Sequence, residues 1–277
     1  MGSETVAVVK APLTAVRSEP SVRAEQTSQE LLGGVLRILE WQGEWARVRG
    51  EDAYEGWVQA GSLLVGDETG GEAWWDAAVG RPALSLDLEL RGEEGATLMR
   101  LPWGARIAVD GERARLPDGR GGRIASGRWS LWEERGSGRF ARDGAAVVET
   151  AREWSGVPYV WGGRTRWGAD CSGMVQMIYR THGVVLPRDS YQQAEIGQAV
   201  EPGEDLTGVE PGDLLFFHAR ESARVVHVAL SVGGSKMLHA AEPNGEVMED
   251  DLAGRSALER SLAERLAGVR RLFASDR

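Results

Sequence analysis

Short apolar–polar alternations broken by turn residues fill the first half of the chain, and longer helical spacings begin only after Arg142. Residues 34–39 read as one strand and residues 45–49 as another of period two, with Gln42-Gly43-Glu44 as the hairpin turn between them. Residues 15–20 (AVRSEP) lead into a polar stretch, and Gly56-Trp57-Val58 starts a further short strand. Strands of this length and spacing build small barrels. Residues 83–90 and 105–109 repeat the alternation, while Asp110-Gly111 and Asp118-Gly119 supply more turn signals. Gly136-Ser137-Gly138 has the small-residue texture of a junction.

Beyond the junction the pattern becomes mixed. Residues 144–155 (GAAVVETAREWS) set Val147, Val148, Ala151 and Trp154 at helical spacing, with Gly156 as the stop. Residues 171–182 predict a second helix, with Met174, Val175 and Ile178 as its buried stripe and Gly183 ending it. Residues 213–218, 225–232 and 236–241 predict strands, and 269–273 a last one. Ser256-Ala257-Leu258-Glu259 has capping-box spacing and opens a late helix. Helices followed by antiparallel strands describe an α+β domain. The expected organisation is therefore 1–66 and 67–140 as two small all-β barrels and 141–277 as the α+β domain.

Composition narrows the chemistry. At 277 residues, 42% hydrophobic and 27% charged, the chain fits an ordinary globular protein. Eleven tryptophans against four phenylalanines, concentrated in the first 170 residues, suit thin barrel cores and grooves for polar ligands. A net charge of −10 repels polyanions and argues against a nucleic-acid partner. No stretch reaches the ~18–20 apolar residues of a membrane-spanning helix. Residues 1–16 lack a basic n-region, and their longest apolar run is four residues, so they do not read as a secretory signal. That favours a cytoplasmic location unless the chain begins after a removed signal. The single cysteine excludes an intrachain disulfide and multi-cysteine zinc sites.

That cysteine, Cys171, falls where a helix begins, after the turn-rich Gly162-Gly163 and Gly168 and directly after Asp170, a good N-cap type. Unpaired N–H groups and the positive end of the helix dipole favour thiolate there, lowering the pKa from ~8.5. A thiol nucleophile also needs a base within reach. Of the four histidines, His227 lies inside VVHVALSV and His239 inside KMLHAA, with Gly233-Gly234 between them as a turn. A loop centred near Gly233 would set residues 227 and 239 directly across from each other, so that His239 could orient His227 as base. A one-residue slip would put the rings on opposite faces. His182, at a helix C-terminus, reads as a surface residue, and His218 as an edge, rim or ligand residue. A zinc site from His218, His227, His239 and a carboxylate lacks any HExxH-like spacing.

Residues 156–175 (GVPYVWGGRTRWGADCSGMV) closely resemble the nucleophile motif of the NlpC family of bacterial cell-wall cysteine peptidases. LPRDS with QQ at 186–193, PGDLLFF at 211–217 and HVAL at 227–230 resemble its next motifs, in order. The resemblance implies a reduced papain-like fold with Cys171, His227 and His239 as the catalytic set and Tyr159 helping the oxyanion hole. VRSEPS with YEGWV resembles the bacterial SH3-like domain, and the second β unit takes the same assignment from strand spacing and position. Together these resemble the γ-D-glutamyl-L-diamino-acid endopeptidases of the dipeptidyl-peptidase VI type, which cleave after an N-terminal L-Ala-γ-D-Glu unit. That resemblance implies Glu19, Tyr54 and Asp189 as partners of a free α-amine, and Asp170, Ser172 and Ser190 as contacts of the D-Glu part. The expected protein is a murein-peptide hydrolase of cell-wall turnover or recycling, with neither metal nor organic cofactor. The alternatives are an amidase or acyltransferase using the same Cys–His pair, and a silent cell-wall-binding protein.

Overall fold

Seven antiparallel strands form the first sheet: β1 (Val6–Val9), β2 (Leu13–Arg17), β3 (Gln26–Leu31), β4 (Val35–Gln42), β5 (Trp45–Arg49), β6 (Glu55–Gln59) and β7 (Leu63–Gly66). Their order is β3-β2-β6-β5-β4-β1-β7. Period two decides which side chains face inward. On β5, Ala46 and Val48 are buried among Ala7, Val9, Val16, Leu36, Val58 and Leu63, while Arg47 and Arg49 point out and both pair with Glu55 of the neighbouring strand. Gly56 lets β6 lie against β2, since a Cβ there would come within 2.4 Å of the Val16 methyl. Strand β3 occupies what reads in the sequence as a polar stretch. Its sequence, QTSQEL, carries no apolar alternation, yet Ser28 and Gln29 are buried.

A second sheet comprises β8 (Arg81–Arg91), β9 (Thr97–Leu101), β10 (Arg106–Asp110), β11 (Arg113–Arg115) and β12 (Gly121–Leu131), ordered β10-β11-β12-β8-β9. Strand β10 also pairs with β8, closing the ring. Closure buries both faces of part of β8, so Ala83 through Leu86 are all buried where the sequence alternation predicts one inward face. Leu32, from the turn after β3, belongs to this second core, and its carbonyl accepts the Arg106 N–H at 2.8 Å. The structure describes residues 5–66 and 80–273. The chain divides into two units, residues 1–135 with both of these sheets and residues 136–277. The border expected after residue 66 adjoins the residues outside the described set, and the second unit begins upstream of the expected residue 141, at Gly136.

The second unit is built on helices α1 (Gly144–Arg152), α2 (Cys171–Thr181), α3 (Ser190–Gln193) and α4 (Ala257–Ala263). After a two-residue hairpin, β13 (Arg164–Thr165) with β14 (Gly168–Ala169), come β15 (Gln198–Val200), β16 (Leu214–His218), β17 (Val225–Gly233), β18 (Lys236–Ala241), β19 (Glu246–Asp251) and β20 (Leu266–Arg271). These six form an antiparallel sheet of order β15-β20-β16-β17-β18-β19. Val228 through Ser231 are all buried, so both faces of β17 are covered. Leu215, Phe217, Ala229, Met237 and Val269 form one core with Leu262 of α4. Helix α2 packs on β17 and β18. It is buried all round from Cys171 to Tyr179, where the sequence pattern predicts a stripe. The capping box of Ser256 and Glu259 forms as its spacing predicts. The last strand lies earlier than expected, at Leu266–Arg271.

His182 corrects the expectation of a surface residue. It is fully buried at the C-cap of α2, with Nδ1 2.7 Å from the Ala141 carbonyl and Nε2 3.0 Å from the Thr150 hydroxyl. A ring donating to the carbonyl and accepting from the hydroxyl is neutral, and burial holds its pKa below the ordinary 6.5. The unfolded chain therefore binds a proton that the folded chain resists. This contribution is fully present above pH 6.5 and is lost as pH falls from there toward the folded value. His182→Ala is expected to destabilise the protein by about 2–4 kcal/mol and to reduce its loss of melting temperature between neutral and mildly acidic pH. Thermal melts across that range check this, and an unchanged acid slope would count against it.

Candidate active site

The loop from Gly156 to Asp170 exists to present the first turn of α2. Asp170 caps the helix, its Oδ1 accepting the Gly173 N–H at 2.7 Å, while Oδ2 accepts the Gly162 N–H at 2.9 Å from within the loop. Arg188 closes on the same carboxylate with both nitrogens, at 3.1 and 2.6 Å, and gives a further bond of 2.8 Å to the Ser172 hydroxyl. Asp170 and Arg188 are both buried, which a bidentate pair with two additional N–H donors can sustain. Gly173 is required by the clasp: a Cβ there would lie 2.1 Å from the Gly163 carbonyl oxygen. Gln193 of α3 completes it, donating at 3.1 Å to the Ser172 carbonyl and at 2.8 Å to the Pro187 carbonyl.

Cys171 is thus fixed as the first residue of α2, and its sulfur takes backbone hydrogen bonds from Val228 and Ser172. Val228 is one peptide bond from His227. The expectation of a stabilised thiolate needs correction. Burial, reinforced by the negative charge of Asp170, pushes the thiol up to about 12, outweighing the lowering by the two backbone bonds and Arg188. That direction favours the thiol form of this candidate nucleophile. His227 lies well below its ordinary value, first because it is desolvated and then because His239 and Arg265 oppose a second positive charge. The neutral form of the pair, thiol with imidazole, is the state this site favours.

His227 and His239 do meet, though the register differs from that expected. Leu230 pairs with Leu238 and Ser231 with Met237, after which an irregularity brings Gly233 opposite Lys236. Extending that register sets His239 across from Ala229, so the two rings are diagonal neighbours on one face. The offset is two residues, which preserves the face. His227 Nε2 lies 2.7 Å from His239 Nδ1, with ring centroids 5.0 Å apart. His239 is fully buried, and its Nε2 lies 2.9 Å from Oδ2 of Asp250 on β19. The same oxygen accepts from Asn244 Nδ2 at 2.9 Å. Asp250 and Asn244 escape sequence analysis because the acidic run EVMEDD of β19 carries no apolar alternation; the Asn244-Gly245 dipeptide, a turn type, is the signal that could have led to them.

Tyr159 is half-buried beside Cys171 and Asp170, and burial, followed by these acidic neighbours, raises its pKa, so it remains a phenol donor. Ser172 and Ser190 are buried, and Asp189 is the half-buried N-cap of α3, in a capping box with Gln192. All of these lie in the loop–helix region clasped by Asp170 and Arg188. The remaining two expected contacts lie in the first unit. Glu19 is exposed in the turn after β2. Tyr54 is half-buried against the core of the first sheet. The backbone of His218, at the end of β16, donates to the Arg265 carbonyl and accepts from the Arg265 guanidinium. Among the described residues no group of three or more His, Cys, Asp and Glu side chains is arranged to hold a metal ion, and no helix is long and apolar enough to cross a membrane.

Residues 156–266 match the NlpC/P60 family, and residues 16–63 match the bacterial dipeptidyl-peptidase Sh3 domain. The chain is 30% identical to the γ-D-glutamyl-L-lysine dipeptidyl-peptidase of Bacillus subtilis over 258 residues, covering 89% of this chain and 81% of that protein. It is 28% identical to dipeptidyl-peptidase 6 of Lysinibacillus sphaericus, covering 96% of this chain and 99% of that one. Its fold matches the crystal structure of an NlpC/P60 family protein from Bacillus cereus with a TM-score of 0.78 at 22% identity, over 97% of this chain and 100% of that one. With an SH3-like all-β region ahead of a peptidase unit that holds a clasped cysteine and a histidine pair, the chain belongs to the NlpC/P60 family of peptidases.

Proposed function

We propose that the protein is a cysteine endopeptidase that hydrolyses the γ-D-Glu–diamino acid bond of murein peptides with a free N-terminal L-Ala, in cell-wall turnover or recycling. The observation that carries this is the continuous hydrogen-bonded line behind the thiol: His227 at 2.7 Å from His239, and His239 at 2.9 Å from Asp250. The substrate class draws on the γ-D-glutamyl-L-lysine dipeptidyl-peptidase of Bacillus subtilis, whose similarity runs through most of both chains.

Because Nε2 of His227 is engaged with His239, Nδ1 is the nitrogen available to the thiol. The Cys171 proton passes to it as sulfur attacks the amide carbonyl carbon. The Tyr159 hydroxyl and the N–H groups at the start of α2 stabilise the oxyanion, and a donor that holds its proton, as this phenol does, suits that role. The protonated His227 gives its proton to the leaving amine of the diamino acid, which releases it and leaves a thioester. Water, activated by the same imidazole, hydrolyses the thioester and restores the thiol. Asp189 supplies a carboxylate for the substrate α-ammonium, while Asp170, Ser172 and Ser190 frame the D-Glu portion.

Cys171→Ala is expected to lower hydrolysis of L-Ala-γ-D-Glu-diaminopimelate by at least ~10³-fold with an unchanged circular dichroism spectrum. Retained turnover would end the proposal. Acetylating the substrate amine is expected to raise KM by ~10-fold or more through loss of a charge-assisted contact. Equal KM values for blocked and free peptides would remove the amine contact and leave the catalytic pair intact. The lowered pKa of His227 keeps the base neutral under mild acid, so the acid limb of kcat/KM should lie below the ordinary histidine value of 6.5. A pH–rate profile with its limb at or above that value would contradict a desolvated base.

A further inference from the structure

We propose that Asp250, steadied by Asn244, is a positioning residue that fixes which nitrogen of His227 carries the proton, from two side chains away. The inference rests on Cys171 and His227 being the reacting pair. His239 sits between the two ends with no exposed surface, and each of its ring nitrogens has a single polar neighbour. Oδ2 of Asp250 belongs to a carboxylate that hydrogen bonds from His239 and Asn244 hold below its ordinary value, so it accepts and does not donate.

The consequence propagates by elimination. Facing a carboxylate, Nε2 of His239 must carry hydrogen. With both rings neutral, Nδ1 of His239 is then a lone pair. The His227 nitrogen 2.7 Å away must donate to it, so Nε2 of His227 also carries hydrogen. Nδ1 of His227 is left as the lone pair, which is the tautomer a base needs against the thiol. Reversing the orientation of any one bond in this line would present an N–H to the sulfur instead. Asn244 donates to the same Asp250 oxygen from the turn between β18 and β19, which keeps that oxygen from turning away.

Asp250 also answers the charge that appears during reaction. When the thiol proton reaches His227, one positive charge is shared by two buried rings, and a carboxylate at the far end favours it. The other charged groups around the line are Arg265, which disfavours that charge, Asp170 beside the sulfur, and Glu259, whose own carboxylate is opposed by Asp250. None of these touches His239.

The test compares the full chain with Asp250→Ala, the isosteric Asp250→Asn and Asn244→Ala. Three quantities are read for each: the pH profile of murein-tripeptide hydrolysis, the rate of Cys171 alkylation by iodoacetamide, and the melting temperature. Asp250→Ala is expected to lower kcat by ~10- to 100-fold, with KM changed by no more than about 2-fold, as befits loss of support for general base catalysis. Its acid limb should move to lower pH, because protonated His227 loses the anion at the far end of the hydrogen-bonded line. Alkylation at neutral pH should slow in parallel. Asp250→Asn should show the same displacement with a smaller loss of kcat, and it carries the test should the alanine variant fold poorly. Asn244→Ala should lose ~2- to 10-fold in kcat in the same sense, since it removes one bond to the anchoring oxygen. An unaltered kcat, or a loss with the acid limb and alkylation rate unmoved, would overturn the proposal. Alkylation needs no substrate, so a failure of the murein assignment in the native protein remains distinguishable from a failure of this one.

Discussion

A buried carboxylate organises the peptidase unit. Asp170 takes N–H groups from both sides of Cys171, one in the loop and one in the helix, and a guanidinium from a third segment. Three stretches are held at one point, and Cys171 is the next residue along. The pair with Arg188 is sealed from water, so neither charge can be left alone without a large desolvation penalty. That penalty gives the geometry its rigidity. The serine at 172 and the glutamine at 193 are secondary ties on the same knot.

The knot has an electrostatic side effect. A negative charge adjacent to a buried sulfur disfavours thiolate, and Arg188 offsets only part of it. The site is therefore not the pre-ionised pair that a helix N-terminus suggests. Burial favours the neutral form of both groups, and on the mechanism proposed for the site the support for proton transfer would lie along His239 toward Asp250. A desolvated thiol is also shielded from adventitious oxidation, which follows thiolate character and access.

Local signals in the sequence were legible where the structure itself is local. The cap at Asp170, the stop at Gly183 and the Ser256–Glu259 box each need only neighbours within a turn, and all three stand where expected. Strand β5 was legible because one face meets a core and the other meets water. Where that contrast vanishes, the pattern fails. Strand β3 buries Ser28 and Gln29, β8 is covered on both sides near Leu84, and edge strand β19 carries charge along most of its length. The histidine register was misplaced by two because an irregularity between Ser231 and Gly233 moves the turn along the chain. The helix start of Cys171 was readable, but the depth of its burial depends on strands 50 or more residues away, which no local spacing reveals.

The ring of His182 carries a different kind of consequence. It fastens the far end of α2 to the Ala141 carbonyl, and the Phe140 ring stands edge-on to it at 5.6 Å. The segment leading into the peptidase unit is thus a rivet through its interior and not a tether on its outside. An excised catalytic fragment would have to keep Phe140, as one beginning at Gly136 does. A cut at residue 141 would tear out Phe140 and leave the base of the helix open to solvent.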